Sequence, residues 1–236
     1  MAPAESAALD EAILEAHIAG SVHNTLHFYR RAVPTISVGY FQKIGECIDL
    51  AECQRRGVAV VRRRSGGSSI FTDAGQLIYG LVVHDADLPK DRAKSFEVVC
   101  TAISRAVSSF GLNARYRPMN DVEVAGRKVS GSAQLRRKGS VLQHGTIIVD
   151  TDLGTMDAVL KPSKKAPSKP SDRVATLASL CGSVPPMDDV KSALESELER
   201  SFGTAFERGL LSAEELGIIK RLVQERYANH SWNFKF

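Results

Sequence analysis

Asp121–Asp150 reads DVEVAGRKVSGSAQLRRKGSVLQHGTIIVD, and this stretch decides the fold. Val122–Val124, Arg127–Gln134 and Val141–Val149 carry enough β-branched residues to read as strands. The two-residue Ala125-Gly126 step between the first two is a hairpin signal. Working towards the N-terminus, Ser95–Phe110 (SFEVVCTAISRAVSSF) places apolar residues at helical spacing and is closed by Gly111. Leu77–His84 (LIYGLVVH) reads as a strand, as does Val58–Arg63 (VAVVRR), which runs straight into the polar turn Ser65–Ser69. Cys47–Arg56 reads as a short helix ended by Gly57. Asn24–Arg30 and Thr35–Gly39 read as strands separated by Pro34. Ser6–Ala19 is a helix with Ser6 as its cap.

Towards the C-terminus, Lys161–Asp172 (KPSKKAPSKPSD) has the lysine, proline and serine content of a mobile surface loop. Val190–Phe202 and Ser212–Tyr227 read as two further helices. Strands bracketed by helices predict an α+β fold, a mixed β-sheet core flanked by helices, with no internal repeat and no domain boundary.

The chain has 236 residues, of which 43% are hydrophobic and 25% charged, ample for a substantial core. A net charge of +4 is small for a nucleic-acid-binding domain but suits an enzyme that handles anions or docks an acidic partner. Cys47, Cys53, Cys100 and Cys181 form no CxxC pair, so they predict buried thiols in a reducing compartment, not a zinc site. Met1–Ala8 lacks the pattern of a signal peptide and no apolar run is long enough to span a membrane, so the expected location is cytoplasmic.

Three segments carry residues suited to chemistry. Arg62-Arg63-Arg64-Ser65-Gly66-Gly67-Ser68 sets cations beside a turn whose backbone N–H groups can approach an anion, although a solvated surface turn fits the same letters. The spacing is not that of a Walker A loop. Asn120-Asp121 precedes Gly126–Gln134, where Lys128 stands among small residues that leave room for a ligand; turn chemistry alone also explains Asn-Asp. Gln143-His144-Gly145-Thr146 adds an imidazole that fits a structural role equally well.

In this order and spacing the segments resemble the lipoate–protein ligase family, which carries RRx[ST]GGG, V-[FY]-HD, N-D, GrKvsGsA and HG[ST]. Arg62–Gly67, Ile70–Asp73, Asn120-Asp121, Gly126–Ala133 and His144–Thr146 match in turn, and Ser231-Trp232-Asn233-Phe234 matches the end of the family's catalytic domain. The resemblance covers nearly the whole chain. It implies one biotin/lipoate–protein ligase catalytic domain over residues 1–236, with the C-terminal accessory domain absent and a separately encoded accessory subunit as partner. The implied reaction is ATP- and Mg2+-dependent activation of lipoate to lipoyl-AMP, then transfer to a lysine of a lipoyl-acceptor protein.

Residue by residue, the resemblance puts Lys128 on the carboxyl and α-phosphate oxygens. It puts Arg63, Ser65, Gly66, Gly67 and Ser68 around acyl chain and phosphate. Asn120 and Asp121 would lie near nucleotide and magnesium, with Asp121 as the metal ligand. Ser130, Gly131 and Ala133 would sit beside Lys128, and His144, Gly145 and Thr146 at the acyl pocket. The Lys161–Arg173 loop would close over the adenylate, with Arg173 at its base.

Ser68 replaces the family's third glycine and Thr72 its histidine, which leaves the choice among lipoate, octanoate and other acids open. An ATP-independent octanoyl or lipoyl transferase is the alternative. Family transferases use a cysteine near the lysine, and neither Arg117-Pro118-Met119 nor Leu160-Lys161-Pro162-Ser163 supplies one. The GRGRRGR-type loop of biotin ligases is absent, and Lys128 with Asn120-Asp121 argues against a module that only binds.

Overall fold

The strand-rich block becomes the middle of a six-stranded sheet in the computed structural model, which describes residues 1–162 and 167–236. In chain order the strands are β1 (Thr25–Tyr29), β2 (Thr35–Val38), β3 (Ala59–Arg62), β4 (Ile70–Thr72), β5 (Gln76–His84), β6 (Ala114–Arg117), β7 (Asp121–Val124), β8 (Arg127–Arg137) and β9 (Ser140–Ile148). The large sheet runs β1-β5-β9-β8-β7-β6 with every neighbouring pair antiparallel. A second sheet, β3-β2-β4, pairs β2 parallel to β3 and antiparallel to β4. The fold is α+β as expected, with the mixed pairing confined to the small sheet.

The helices are α1 (Pro3–Ile18), α2 (Ile44–Cys47), α3 (Leu50–Arg55), α4 (Arg92–Ser108), α5 (Leu153–Val159), α6 (Pro170–Arg173), α7 (Leu177–Cys181), α8 (Met187–Phe202), α9 (Ala213–Leu222) and α10 (His230–Asn233). None is long and apolar enough to cross a membrane among the described residues.

Strand alternation sorts the two faces of the large sheet. Tyr79, Leu81 and Val83 of β5 meet Phe96, Val99, Ile103 and Val107 of α4, with Leu194 and Leu198 of α8 behind. The intervening Val82 meets Ile13 and Leu14 of α1 on the opposite face, where Leu222 and Tyr227 cover the helix from outside. Sandwiched in this way, α1 is buried almost all round. The small sheet packs Ile36, Val38 and Phe71 against Ile44, Ile48, Met156 and Val159.

At the β7–β8 turn, Ala125 and Gly126 both have positive φ, 49° and 74°, the geometry of a type I′ hairpin. Immediately after it the register slips: Glu123 faces Lys128, whereas Val122 faces Ser130. The extra residue, Val129, drops into the α4-side core. That bulge returns Lys128 to the face shared by Gly131 and Ala133, where strict alternation would turn it away.

The structure departs from the sequence reading in its short elements. β4, β6, α5, α6 and α7, of three to seven residues each, were not expected. The single helix expected over Cys47–Arg56 is two, because Ile48 is extended and Asp49 recaps α3 by accepting from the Glu52 N–H at 3.0 Å. Of the expected buried thiols, Cys53 and Cys100 are buried while Cys47 and Cys181 are half-buried. Within the expected Lys161–Asp172 loop, residues 163–166 lie outside the described residues, and Pro170–Arg173 forms α6.

Candidate active site

On the sheet face not covered by α4, a straight row crosses five strands: Tyr29, Ile78, Thr146, Gly131 and Asp121 are successive register partners. All five line a cavity of about 820 Å³. At roughly 4.8 Å per strand the row is about 19 Å long. The small sheet, the Gly67–Ser69 loop and α5 and α6 contribute the remaining walls.

Lys128 stands at the β7–β8 end. Its Nζ lies 2.6 Å from Asp121 Oδ1, and the stem passes over Gly131, where any Cβ would strike Lys128 Nζ and Cε. Arg117 holds the other Asp121 oxygen at 2.6 Å and Glu123 at 2.6 Å. Asn120 clasps β8, donating from Nδ2 to the Ser132 carbonyl (2.5 Å) and accepting the Ser132 N–H at its own carbonyl (2.9 Å). Lys161 also borders the cavity, with Nζ donating to the Gly45 carbonyl (2.9 Å). Arg173 is an exposed lining residue.

The arginine triplet divides its work. Arg62 is fully buried and donates through Nη1 to the carbonyls of Gly39, Tyr40 and Gln42 and through Nε to that of Asn233. Arg63 shapes the glycine loop, donating to Ser65 Oγ (3.1 Å) and to the carbonyls of Ser37, Gly66 and Ser68 (2.7–2.8 Å). Burial lowers its guanidinium to about 10. Arg64 reaches Glu11 at 3.3 Å. Of the three, only Arg63 touches the cavity.

The far end holds a buried polar cluster. Asp10 of α1 takes His27 Nε2 at 2.8 Å on one oxygen and His144 Nδ1 at 2.5 Å on the other. Burial alone would raise this carboxyl, but the charges and hydrogen bonds of His144 and His27 hold it well below the usual carboxylate range. His144 Nε2 then lies 2.7 Å from Ser65 Oγ, so the imidazole bridges Asp10 and the glycine loop. Nearby Tyr29 is pushed up by burial and by Asp10, partly offset by Arg31 and Arg63. Gly80 is required here, because a Cβ would meet His27 and Asp10.

Arg63, Gly67, Ser68, Asn120, Asp121, Lys128, Gly131, Ala133, His144, Gly145, Thr146 and Arg173 therefore come together around one cavity. Ser65 and Gly66 stand behind its wall, bonded to Arg63. Ser130 is not part of it: the alternation of β8 buries it on the Ile147 and Val122 side. Asp121, expected as the metal ligand, turns its oxygens to Lys128 and Arg117. Among the described residues no group of three His, Cys, Asp or Glu could hold an ion.

Sequence reading missed Asp10, Tyr29, Arg31 and Cys47 as lining residues. Asp10 left one trace: it falls between Ala7 and Leu14 on the apolar stripe of α1, where a solvated acid has no place. Cys47 Sγ meets the carbonyls of Lys43 and Ile44 and receives a hydrogen bond from Ser69 Oγ (3.2 Å). Cys100 sits beneath the sheet, pushed up to about 11 by burial.

A family model described as the lipoyl protein ligase A/B catalytic domain matches residues 2–199. Octanoyltransferase LipM of Geobacillus kaustophilus is 30% identical, covering 99% of this chain and 94% of its own. Octanoyltransferase LipM of Brevibacillus brevis is 31% identical over 100% and 96%. Among solved structures, a bipartite lipoate protein ligase of an archaeal lipoylation system, studied with its E2 lipoyl domain, from Thermoplasma acidophilum, has a TM-score of 0.86. It is 28% identical and covers 98% of this chain and 91% of that one. A lipoate-protein ligase A bound with ATP has a TM-score of 0.88 at 27% identity, covering 98% and 93%. The whole-length relatives named octanoyltransferases overturn the expectation of an ATP-dependent lipoate ligase.

Proposed function

The chain belongs to the lipoyl protein ligase A/B catalytic-domain family, and from that premise we propose that it transfers an already activated octanoyl- or lipoyl-type group to a lysine of a lipoyl-domain acceptor protein. The observation that carries the reading is Lys128, bulged onto the cavity floor, orientated by Asp121 and lying over a glycine. Its ammonium is ion-paired with Asp121 Oδ1 at 2.6 Å and has N–H donors to offer a carbonyl oxygen.

With the acyl chain along the row and its thioester carbonyl at Lys128, the acceptor amine attacks the carbonyl carbon. Negative charge gathers on the oxygen, where a fixed ammonium stabilises it. The C–S bond breaks, the amide forms, and the donor thiol leaves with the proton the amine gives up. No step needs ATP, magnesium or the accessory subunit expected for ligation. Among the described residues the cavity cysteine, Cys47, bonds to backbone carbonyls and to Ser69, not to a base, which favours direct attack over an acyl-cysteine relay.

The test incubates the purified chain with an octanoyl-carrier thioester and a lipoyl-domain acceptor, without ATP, and reads the acceptor's mass. Acylation is expected, falling on the order of a hundredfold in Lys128→Ala, the scale of losing one oxyanion donor. An unmodified acceptor refutes transfer. A thiol-linked octanoyl adduct on Cys47, seen when acceptor is withheld, refutes direct attack.

A further inference from the structure

The cavity is not finished as an octanoyl site at the end away from Lys128. Tyr29, the last member of the row, lies three strands from Gly131, roughly 14 Å at the usual strand spacing. Beside it the lining turns polar and charged, with Asp10, Arg31, Ser37, Arg63 and His144. A chain end here meets these polar groups beside the apolar wall of Ala7, Phe71 and Ile78.

The balance of these groups is uneven. Both Asp10 oxygens are taken by His27 and His144. Arg63 directs its N–H groups to carbonyls and a hydroxyl of its own loop. Arg31 is different. It is only 4% exposed, and among the described residues no carboxylate lies within 4 Å of its guanidinium. Among the described residues it donates from Nη1 to the Pro3 carbonyl at a long 3.3 Å, its guanidinium stands 5.8 Å from the centre of the Tyr29 ring, and its Nε is buried without a partner. A buried cation with unfilled N–H groups is costly, and the cavity it borders is the place from which a partner can come.

We propose that Arg31 is a specificity-determining residue that reads the far end of the acyl chain, favouring a lipoyl-type chain with electron-rich sulfur there over a methyl-ended octanoyl chain. The inference rests on the transfer reading above, with the acyl carbonyl at Lys128. Dithiolane sulfurs are weak acceptors and polarisable, so they can face the guanidinium edge and the Tyr29 hydroxyl. A methyl group in the same place adds no acceptor and leaves Arg31 with the Pro3 carbonyl and the Tyr29 ring alone.

The experiment compares kcat/KM for lipoyl and octanoyl thioester donors at one acceptor concentration, beside calorimetric affinities for free lipoate and free octanoate. Wild type is expected to favour lipoyl in both measurements by roughly five- to tenfold, the scale of one weak hydrogen bond in a buried site. Arg31→Met should bring the ratio close to one, mainly by raising KM for the lipoyl donor, and Arg31→Lys should keep part of it. Equal handling of the two chains by wild type overturns the proposal without needing any variant to fold. So does an Arg31→Met enzyme that weakens both in proportion. If neither donor is used, the transfer reading fails, and the two free-acid affinities still decide the role of Arg31.

Discussion

Asp10 serves two imidazoles at once from inside a helix buried almost all round, and that arrangement sets how the protein responds to acid. Its carboxyl is held below the usual range by His27 and His144, so the folded state binds its proton more weakly than the unfolded chain does. The stabilisation is present at neutral pH, above the ordinary carboxylate value. It is lost as pH falls through the depressed one. Asp10→Asn should therefore unfold with a flatter dependence on pH below about 5, read from thermal midpoints across an acid series. A slope equal to wild type would show that the contacts do not shift the titration. Single residues were only partly legible in the sequence. Lys128, His144 and Gly131 could be picked out because small neighbours and glycines flag a close approach. Asp10 left only its place on the apolar stripe of α1, and Arg31 left no signal, because a charge at a strand end looks solvated until the tertiary structure covers it.

The hairpin β7–β8 shows what an element adds. Its type I′ turn asks for positive φ at both centres, and Ala125 meets that demand against its own preference. Ala125→Asn should stabilise the protein by up to about 1 kcal/mol, raising Tm by roughly 2–4 °C in a chain of this size. No rise in a calorimetric scan would mean that the strain is relieved elsewhere. Strands β5 and β9 were readable to within a few residues, since nine residues of β-branched and apolar pattern leave little choice, and β8 followed from the hairpin turn before it. The turn was readable too, but not the bulge behind it. Whether Val129 or Lys128 faces the α4 core is decided by packing, and the letters RKVSGS suit either phase. β6 and β4 were missed because four and three residues carry too little periodicity to stand out.

Across the whole molecule, the C-terminal segment returns to brace the site from behind. The Arg62 N–H donates to Asn233 Oδ1 (2.9 Å), and the Arg62 carbonyl accepts from Trp232 Nε1 (2.9 Å). Asn233 Nδ2 in turn holds the Tyr227 carbonyl (2.9 Å). Asn233→Ala leaves two buried backbone groups unsatisfied and should cost about 1–3 kcal/mol. The denaturant midpoint should fall with an unchanged m-value; an unchanged midpoint would show that the brace contributes nothing. The α+β architecture was legible as a whole because long, well-patterned runs of strands are bracketed by helices. The division into two sheets was not, since the parallel pairing of β2 with β3 depends on contacts far apart in sequence. The row Tyr29–Ile78–Thr146–Gly131–Asp121 has a consequence of its own. A sheet read crosswise is a measuring stick graduated in whole strands, each mark about 4.8 Å from the next. A chain laid along it can be shortened only by filling one mark, such as Thr146 or Ile78, with a larger side chain. Length preference in such a site changes in jumps, not by degrees, and one substitution at a marked position moves it by a full strand.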